Sequence, residues 1–257
     1  MGRKVSFLSI MALIVGFVFH AGAEEPSLSL PKRFWAFQKP LGTFNRAALQ
    51  RGFQVYKEVC SACHGLKRIS YRHLKDLGLN ANQIKALAAE ASVTDGPNDQ
   101  GQMFQRKGMP TDFLTGPYPN DQAARAAHNG ALPPDLSLMI KARQGGADYV
   151  YALLTGYKTA PAGMVIEEGR YYNPFFSGKS LNMAPPLTEG QVTYGDGTKA
   201  TVEQMACDVV EFLSWAAEPE LEPRKQMGVK VLSYLAFMII LFYLTYRKIW
   251  HDQQEKK

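Results

Sequence analysis

Cysteine is scarce in this chain: among 257 residues there are three, at positions 60, 63 and 207. Three thiols cannot build a disulfide framework, and no second Cys/His pair at ligand spacing exists to complete a structural zinc site. Cys207 reads as a small buried residue on a helix. No internal repeat is visible. No basic stripe interleaved with aromatic residues occurs either, so the net charge of +6 is no argument for nucleic-acid binding. Charge is absent altogether from residues 231–246, VLSYLAFMIILFYLTY.

Two of the three cysteines fall in one run, Cys60-Ser61-Ala62-Cys63-His64. Cys-x-x-Cys-His is the arrangement for attaching a c-type haem. Each thiol adds to one vinyl group and the adjacent imidazole ligates the iron. A short turn sets both sulfurs along one edge of the porphyrin while His64 reaches its face. A thioredoxin-like redox pair is the competing reading; it predicts a strand before the first cysteine and has no need of the histidine. The run occurs once, so one haem is expected.

The termini speak about compartment. Arg3 and Lys4 precede an apolar stretch over 7–19, and Ala21-Gly22-Ala23 supplies a cleavage signature, so residues 1–23 read as a secretory signal peptide. That stretch is too short for a comfortable bilayer span. Its removal lowers the formal charge from +6 to +4, and haem propionates would lower it further. Export suits covalent haem attachment, which needs thiols outside the reducing cytoplasm. Residues 228–247 read as a transmembrane helix: at ~1.5 Å per residue this stretch spans close to the ~30 Å hydrocarbon core. Lys230 can snorkel, and Tyr243, Tyr246 and Trp250 stand where an aromatic belt belongs. The signal peptide sets the 24–227 domain on the exported side and hence the tail 248–257 on the cytoplasmic side. Arg247 at the end of the span and Lys248, Lys256 and Lys257 beyond it agree with that orientation.

Within the exported domain the pattern is mainly helical. Residues 24–42, with three prolines, read as an extended arm. A helix is expected over 45–59, capped by Asn45, with Leu49, Phe53, Tyr56 and Val59 at helical spacing. Gly52 within it is tolerable if another helix crosses closely there. Further helical segments are expected at 71–77, 82–91, 121–127, 135–144 and 148–156. Residues 93–119 and 161–186 read as irregular, and Tyr194-Gly195-Asp196-Gly197 as a small hairpin. Thr201 with Gln204 reads as a capping box opening a last exported helix with a wide apolar face. Pro219 and Pro223 are expected to end it and stiffen the link to the membrane helix.

A haem with one histidine needs something on its other face. Methionine closes the iron and raises its potential, which suits an electron carrier, whereas an open position permits oxygen or ligand chemistry. The thioethers on offer are Met103, Met109, Met139, Met164, Met183, Met205 and Met227. Met183 stands out because Asn182-Met183-Ala184-Pro185-Pro186 is a loop that its prolines keep from folding into a helix. A stiff loop loses little entropy on ligation. Met164 is the runner-up, and Met205 reads as packing. His73 and His128 read as surface or capping residues.

These residues, taken together, resemble the cytochrome c1 family, the haem-bearing subunits of cytochrome bc1 complexes, in a bacterial version. The resemblance runs along the mature chain. It includes Arg51-Gly52-Phe53-Gln54-Val55-Tyr56, Tyr71-Arg72-His73-Leu74, Asp95-Gly96-Pro97-Asn98 and Ala123-Ala124-Arg125-Ala126-Ala127. It continues through Asn129-Gly130-Ala131-Leu132-Pro133-Pro134-Asp135-Leu136-Ser137, Tyr171-Tyr172-Asn173-Pro174-Phe175-Phe176, Met183-Ala184-Pro185-Pro186 and Trp215-Ala216-Ala217-Glu218-Pro219-Glu220. It implies thioether bonds at Cys60 and Cys63 and axial ligation by His64 and Met183. It also implies a Pro134 carbonyl orienting the His64 ring and an Arg143 guanidinium near a haem propionate. The extra disulfide of some bacterial members has no cysteines to form it here, so rigidity on the Met183 side must come from packing.

The expected architecture is therefore a mainly α, class I-like cytochrome c domain with long loop insertions on one C-terminal transmembrane helix. The expected function is one-electron transfer by one covalent haem c, in a non-catalytic subunit of a quinol–cytochrome c reductase of the bacterial inner membrane, haem domain periplasmic. The resemblance implies cytochrome b as neighbour, the Rieske iron–sulfur protein as donor, and a soluble or membrane-anchored cytochrome c as acceptor. Asp95, Asp99, Glu167 and Glu168 are candidates for steering a basic carrier. Two other classes stay open: an independent membrane-anchored electron shuttle, and a haem enzyme or gas sensor with a vacant sixth position.

Overall fold

The computed structural model of the protein describes residues 29–255. The expected signal peptide lies outside the described residues. Asn45 begins the architecture: its side chain accepts hydrogen bonds from the backbone N–H groups of Ala47 and Ala48 and caps helix α1, Arg46–Glu58. The apolar face of α1 buries Leu49, Phe53, Val55 and Tyr56 against helix α6, Val202–Ala217, which supplies Met205, Val209, Val210, Phe212 and Trp215. The two helices cross at Gly52. A Cβ there would collide with the Asp208 carbonyl and come within 2.7 Å of the Phe212 Cβ, so only glycine permits the approach. Phe53 and Phe212 pack with ring centroids 5.6 Å apart.

An ion pair closes the same crossing. Arg51 grips the buried Asp208 with two bonds of 2.9 Å and reaches Asp196 at 2.8 Å. The hydrogen bonds to Asp208 raise the guanidinium's already high pKa. Burying such a pair adds little net stability, but removing one partner would strand the other.

Four more helices lie between these two in sequence: α2 Ala81–Glu90, α3 Asp121–Ala127, α4 Met139–Ala142 and α5 Gly146–Thr155. Residues Tyr71–Leu77 are helical as expected but wind as a 3-10 helix, where Ser70 and His73 cap each other across 3.2 Å and Gly78 in the left-handed region (φ 88°) ends the run. His73 is thus a capping residue.

The stretch read as loop over 93–119 holds strands. β2 Ser92–Asp95 pairs antiparallel with β3 Phe104–Lys107, and β4 Phe113–Leu114 pairs with β1 Leu66–Ser70. The hairpin carries no alternating apolar pattern. It is held by Arg106, which bonds Asp95 and grips Asp112 at 2.6 and 2.9 Å. These bonds hold both carboxyls below the usual carboxylate range. A third short pair, β5 Tyr171–Tyr172 with β6 Ser180–Leu181, lies inside the irregular 161–186 stretch.

Three other expectations change. The helix expected over 135–144 shrinks to α4, because Asp135 and Leu136 bond other partners: Asp135 accepts from Lys67 N at 2.8 Å and Ser137 N at 3.0 Å, and Leu136 N donates to Gly65 O at 2.9 Å. The 194–197 segment is a turn without paired strands, closed by Gly197 N donating to Tyr194 O. At the start of α6 only half of the capping box forms. Thr201 Oγ1 accepts from Gln204 N, while the Gln204 side chain turns to Asp208 at 3.0 Å.

Pro219 lies in the break after α6, but Pro223 is the third residue of the final helix α7, Leu221–Gln254. Its missing N–H is harmless in a first turn. α7 has 34 residues, about 51 Å at ~1.5 Å each. It is long and apolar enough to cross a membrane, and its apolar side chains from Val229 to Trp250, the half-buried Met238 excepted, are exposed.

Gly52→Ala is expected to destabilise the domain by about 2 kcal/mol, since the crossing must open for the methyl group. Denaturant unfolding of the haem-loaded protein measures it; an unchanged midpoint would mean the helices are not pressed together there.

Candidate haem site

α1 delivers the Cys-x-x-Cys-His run. Val59 N still donates to Val55 O, and the chain then tightens into a 3-10 turn, Cys60–Ala62. Cys63 N and His64 N both donate to Cys60 O, at 3.1 and 2.9 Å. One turn thus brings two thiols and an imidazole to the same helix end. Tyr56 OH, from the core face of α1, donates to His64 O at 3.2 Å and pins the turn to the helix.

A helix, not a strand, leads into Cys60, which removes the topology a thioredoxin-like pair requires. The electrostatics agree. Burial, with a smaller contribution from neighbouring Cys63, pushes the Cys60 thiol up to about 12. A dithiol redox catalyst needs the reverse, a thiol depressed towards neutrality.

His64 is oriented from 70 residues away. Its Nδ1 lies 2.7 Å from the Pro134 carbonyl oxygen. A carbonyl can only accept, so Nδ1 carries the proton and Nε2 keeps its lone pair. Burial lowers the His64 pKa, outweighing the opposing effect of the Pro134 bond. The ring is therefore neutral near pH 7, the form that ligates a metal. Pro134 reaches this position because Asp135 and Leu136 are tied to the backbone just after His64, the contacts that shortened α4.

Next to Pro134 opens a cavity of about 330 Å³ lined by Arg68, Asp135, Leu138, Met139, Ala142 and Arg143. Its apolar side chains suit a porphyrin face and its two guanidinium groups suit carboxylates. Arg143 is exposed, approaches the Tyr149 hydroxyl and, at 3.4 Å, its own neighbour's carbonyl, and pairs with no carboxylate among the described residues. Neutral imidazole, two thiols and an apolar wall carrying two guanidinium groups beside Asp135 fit a c-type haem.

Met183 lies outside that cavity. It lines neither this cavity nor a second one of about 420 Å³, although its neighbours Tyr157 and Pro185 line the second. Its side chain is half-buried, and its carbonyl accepts a 3.0 Å bond from Tyr157 OH, just past the end of α5. The loop leading to it is clipped twice more. The fully buried Asn173 donates to Leu153 O at 2.8 Å, and Arg170 donates to Ser180 O at 2.9 Å. The rigidity expected from packing thus comes largely from side-chain bonds to backbone. Among the other thioethers, Met205 is fully buried in the core, Met164 is exposed, and Met139 lines the first cavity. His128 Nε2 lies 2.9 Å from Tyr118 OH. Cys207 is only half-buried, packed at the core's edge.

Tyr157, Asn173 and Arg68 were not singled out from sequence. Tyr157 lies 26 residues from the carbonyl it holds, and no local pattern links them.

A family model described as the cytochrome C1 family matches residues 35–253. Cytochrome c1 of Rhodospirillum rubrum is 45% identical, over 90% of this chain and 91% of its own. The mitochondrial cytochrome c1 heme protein of Schizosaccharomyces pombe is also 45% identical, over 100% of this chain and 87% of its own. Cytochrome b/c1 of Bradyrhizobium diazoefficiens is 44% identical over 96% of this chain, which spans 39% of that longer protein.

Tyr157→Phe, which removes one donor and leaves the ring, is expected to cost about 1 kcal/mol of stability. The loosening should concentrate in the loop ahead of Met183. Hydrogen exchange over residues 170–187 reads it; unchanged protection there would show that the hydroxyl holds nothing in place.

Proposed function

The chain belongs to the cytochrome C1 family, and on that premise we propose that Cys60, Cys63, His64 and Met183 hold its haem, with Pro134 and Arg143 in support. The protein carries a c-type haem and transfers electrons as the haem-bearing subunit of a bc1 complex. Bound there, the haem supplies a one-electron couple. The observation that carries the assignment of residues is the 2.7 Å contact between His64 Nδ1 and the Pro134 carbonyl, beside both thiols. It commits one ring nitrogen and leaves the other as a ligand.

Each residue has a distinct role in this reading. The two thioethers tether the group, so that a change of iron charge cannot release it. His64 supplies a neutral nitrogen whose orientation is set before the iron is bound. Met183 supplies a soft sulfur on a loop that Tyr157 and Asn173 hold in shape, and the sulfur favours the reduced iron. Arg143, with Arg68 on the same wall, offsets propionate charge.

The protein is membrane-anchored through α7. We assign the 24–227 domain to the periplasmic side of a bacterial inner membrane, residues 228–247 to the span and 248–257 to the cytoplasm. The support is the leader-like residues 1–23, with Arg247 at the end of the span and three lysines after it. Within the complex we assign the Rieske protein as electron donor, cytochrome b as the membrane neighbour and a soluble or membrane-anchored cytochrome c as acceptor. Of the four acids considered for steering, Asp95 is paired with Arg106 and Glu167 with Arg170. Asp99 and Glu168 are exposed and make no ion pair among the described residues, so they contribute the unneutralised charge.

Met183→Leu is the decisive variant. The haem should stay covalently attached while its potential falls and the reduced protein gains carbon monoxide binding. Potentiometric titration with a carbon monoxide difference spectrum measures both; an unchanged potential removes Met183 from the iron. Carbon monoxide binding by the unaltered protein would instead favour the gas-sensor or peroxidase reading. Mild detergent extraction should recover cytochrome b and the Rieske protein with this chain. Recovery of the chain alone would favour an independent shuttle.

A further inference from the structure

Three backbone carbonyls of the N-terminal arm converge on one ammonium. Lys225 Nζ donates to Phe37 O and Lys39 O at 2.6 Å each and to Gly42 O at 3.1 Å. Lys225 is on α7, three residues before Gly228, where the apolar span begins. That is about 4.5 Å along the helix axis at ~1.5 Å per residue. Glu222 ties the other side, accepting from Phe44 N at 2.8 Å and Arg46 at 2.6 Å. The arm is thereby fastened to the turn of helix that emerges from the hydrocarbon. The polar layer on each face of a bilayer is about 5–7 Å deep, so the arm stands at headgroup level.

What the arm presents there is unusual for a surface in water. Phe34 is 73% exposed and Leu41 72%. Val165 aside, they are the most exposed large apolar side chains outside α7 among the described residues. Their neighbours Trp35 and Phe37 are 5% exposed each, so the arm divides its apolar residues between the core and the outside. Lys39 Nζ lies 4.6 Å above the Phe34 ring. Lys32 is exposed too, and no acidic residue occurs between positions 26 and 45. The acids that touch the arm, Asp148 at Arg33 N and Trp35 Nε1 and Glu222 at Phe44 N and Arg46, are spent on its own polar groups. Aromatic and aliphatic tips flanked by cations are the composition of a segment that lies in an anionic membrane surface. Lys225 has no donor left for lipid, having turned all three towards the arm.

We propose that residues 34–42 form a foot resting on the bilayer that α7 crosses, with Phe34 and Leu41 at the acyl boundary and Lys32 and Lys39 facing lipid phosphate. A single helix leaves its domain free to swivel about the helix axis. A second contact to one side, braced by Lys225, fixes the tilt of the domain against the membrane and with it the height of the haem. The foot depends on α7 spanning the membrane and is independent of which residues ligate the iron.

The test places a photoreactive benzoylphenylalanine at position 34, and separately at 41, in the full-length haem-loaded protein in its own membrane. Light followed by intact-mass measurement should show an adduct of one phospholipid. The same probe in place of Phe237, within the apolar span, establishes that lipid capture is detected. In place of Val165, 93% exposed, it should capture none. Cross-linking of position 34 to a second polypeptide would overturn the foot in favour of a subunit interface. Absence of any adduct at both 34 and 41, with Phe237 positive, would overturn it in favour of a free surface.

Discussion

The close crossing of α1 and α6 at Gly52 is the constraint on which the rest of the molecule depends. Glycine lets the two backbones touch, and Leu49, Val55, Tyr56, Val209 and Phe212 then fill the space on either side. Arg51 and the buried Asp208 seal the crossing with a paired charge. The direction of α1 sets where its C-terminal end points, and that end carries both thiols and the imidazole. The core and the proposed haem attachment are therefore one structure, not a scaffold with a site added to it.

Outside this crossing the fold has little regular structure to lean on. Its three strand pairs are of two to five residues, and no larger sheet occurs among the described residues. Order is instead supplied by side chains bonded to distant backbone. Asp135 holds Lys67 N, Asn173 holds Leu153 O, Tyr157 holds the Met183 carbonyl and Lys225 gathers three carbonyls. Each pairs backbone groups that a strand or helix would have paired by itself. This suits an electron carrier. Such a protein needs its ligands held still through a change of charge, and long loops can do that only when they are clipped at several points.

The two ends of the proposed haem site are prepared in different ways. On the His64 side, chemistry is arranged in advance: burial keeps the ring neutral and Pro134 selects its tautomer. On the Met183 side, only shape is arranged. A thioether has no proton to control, so the structure restrains the backbone that carries it.

Much of this was legible in the chain itself. The haem chemistry, the helix over 45–59, the tight crossing at Gly52 and the membrane helix are written in contiguous residues or short periodic patterns, where local sterics and hydrophobic spacing decide the outcome. The β2–β3 hairpin was not legible, because it rests on Arg106 and its two carboxylates and lacks alternation. Nor was the short α4, since Asp135 and Leu136 bond partners near residue 66 that no helix rule takes into account. The identity of the cofactor follows from the sequence alone, because thioether attachment needs two thiols and a histidine at one fixed local spacing. Which nitrogen of His64 is free, and what steadies Met183, only the tertiary structure decided. Those bonds join residues 70 and 26 positions apart, and such partners meet only where packed elements place them.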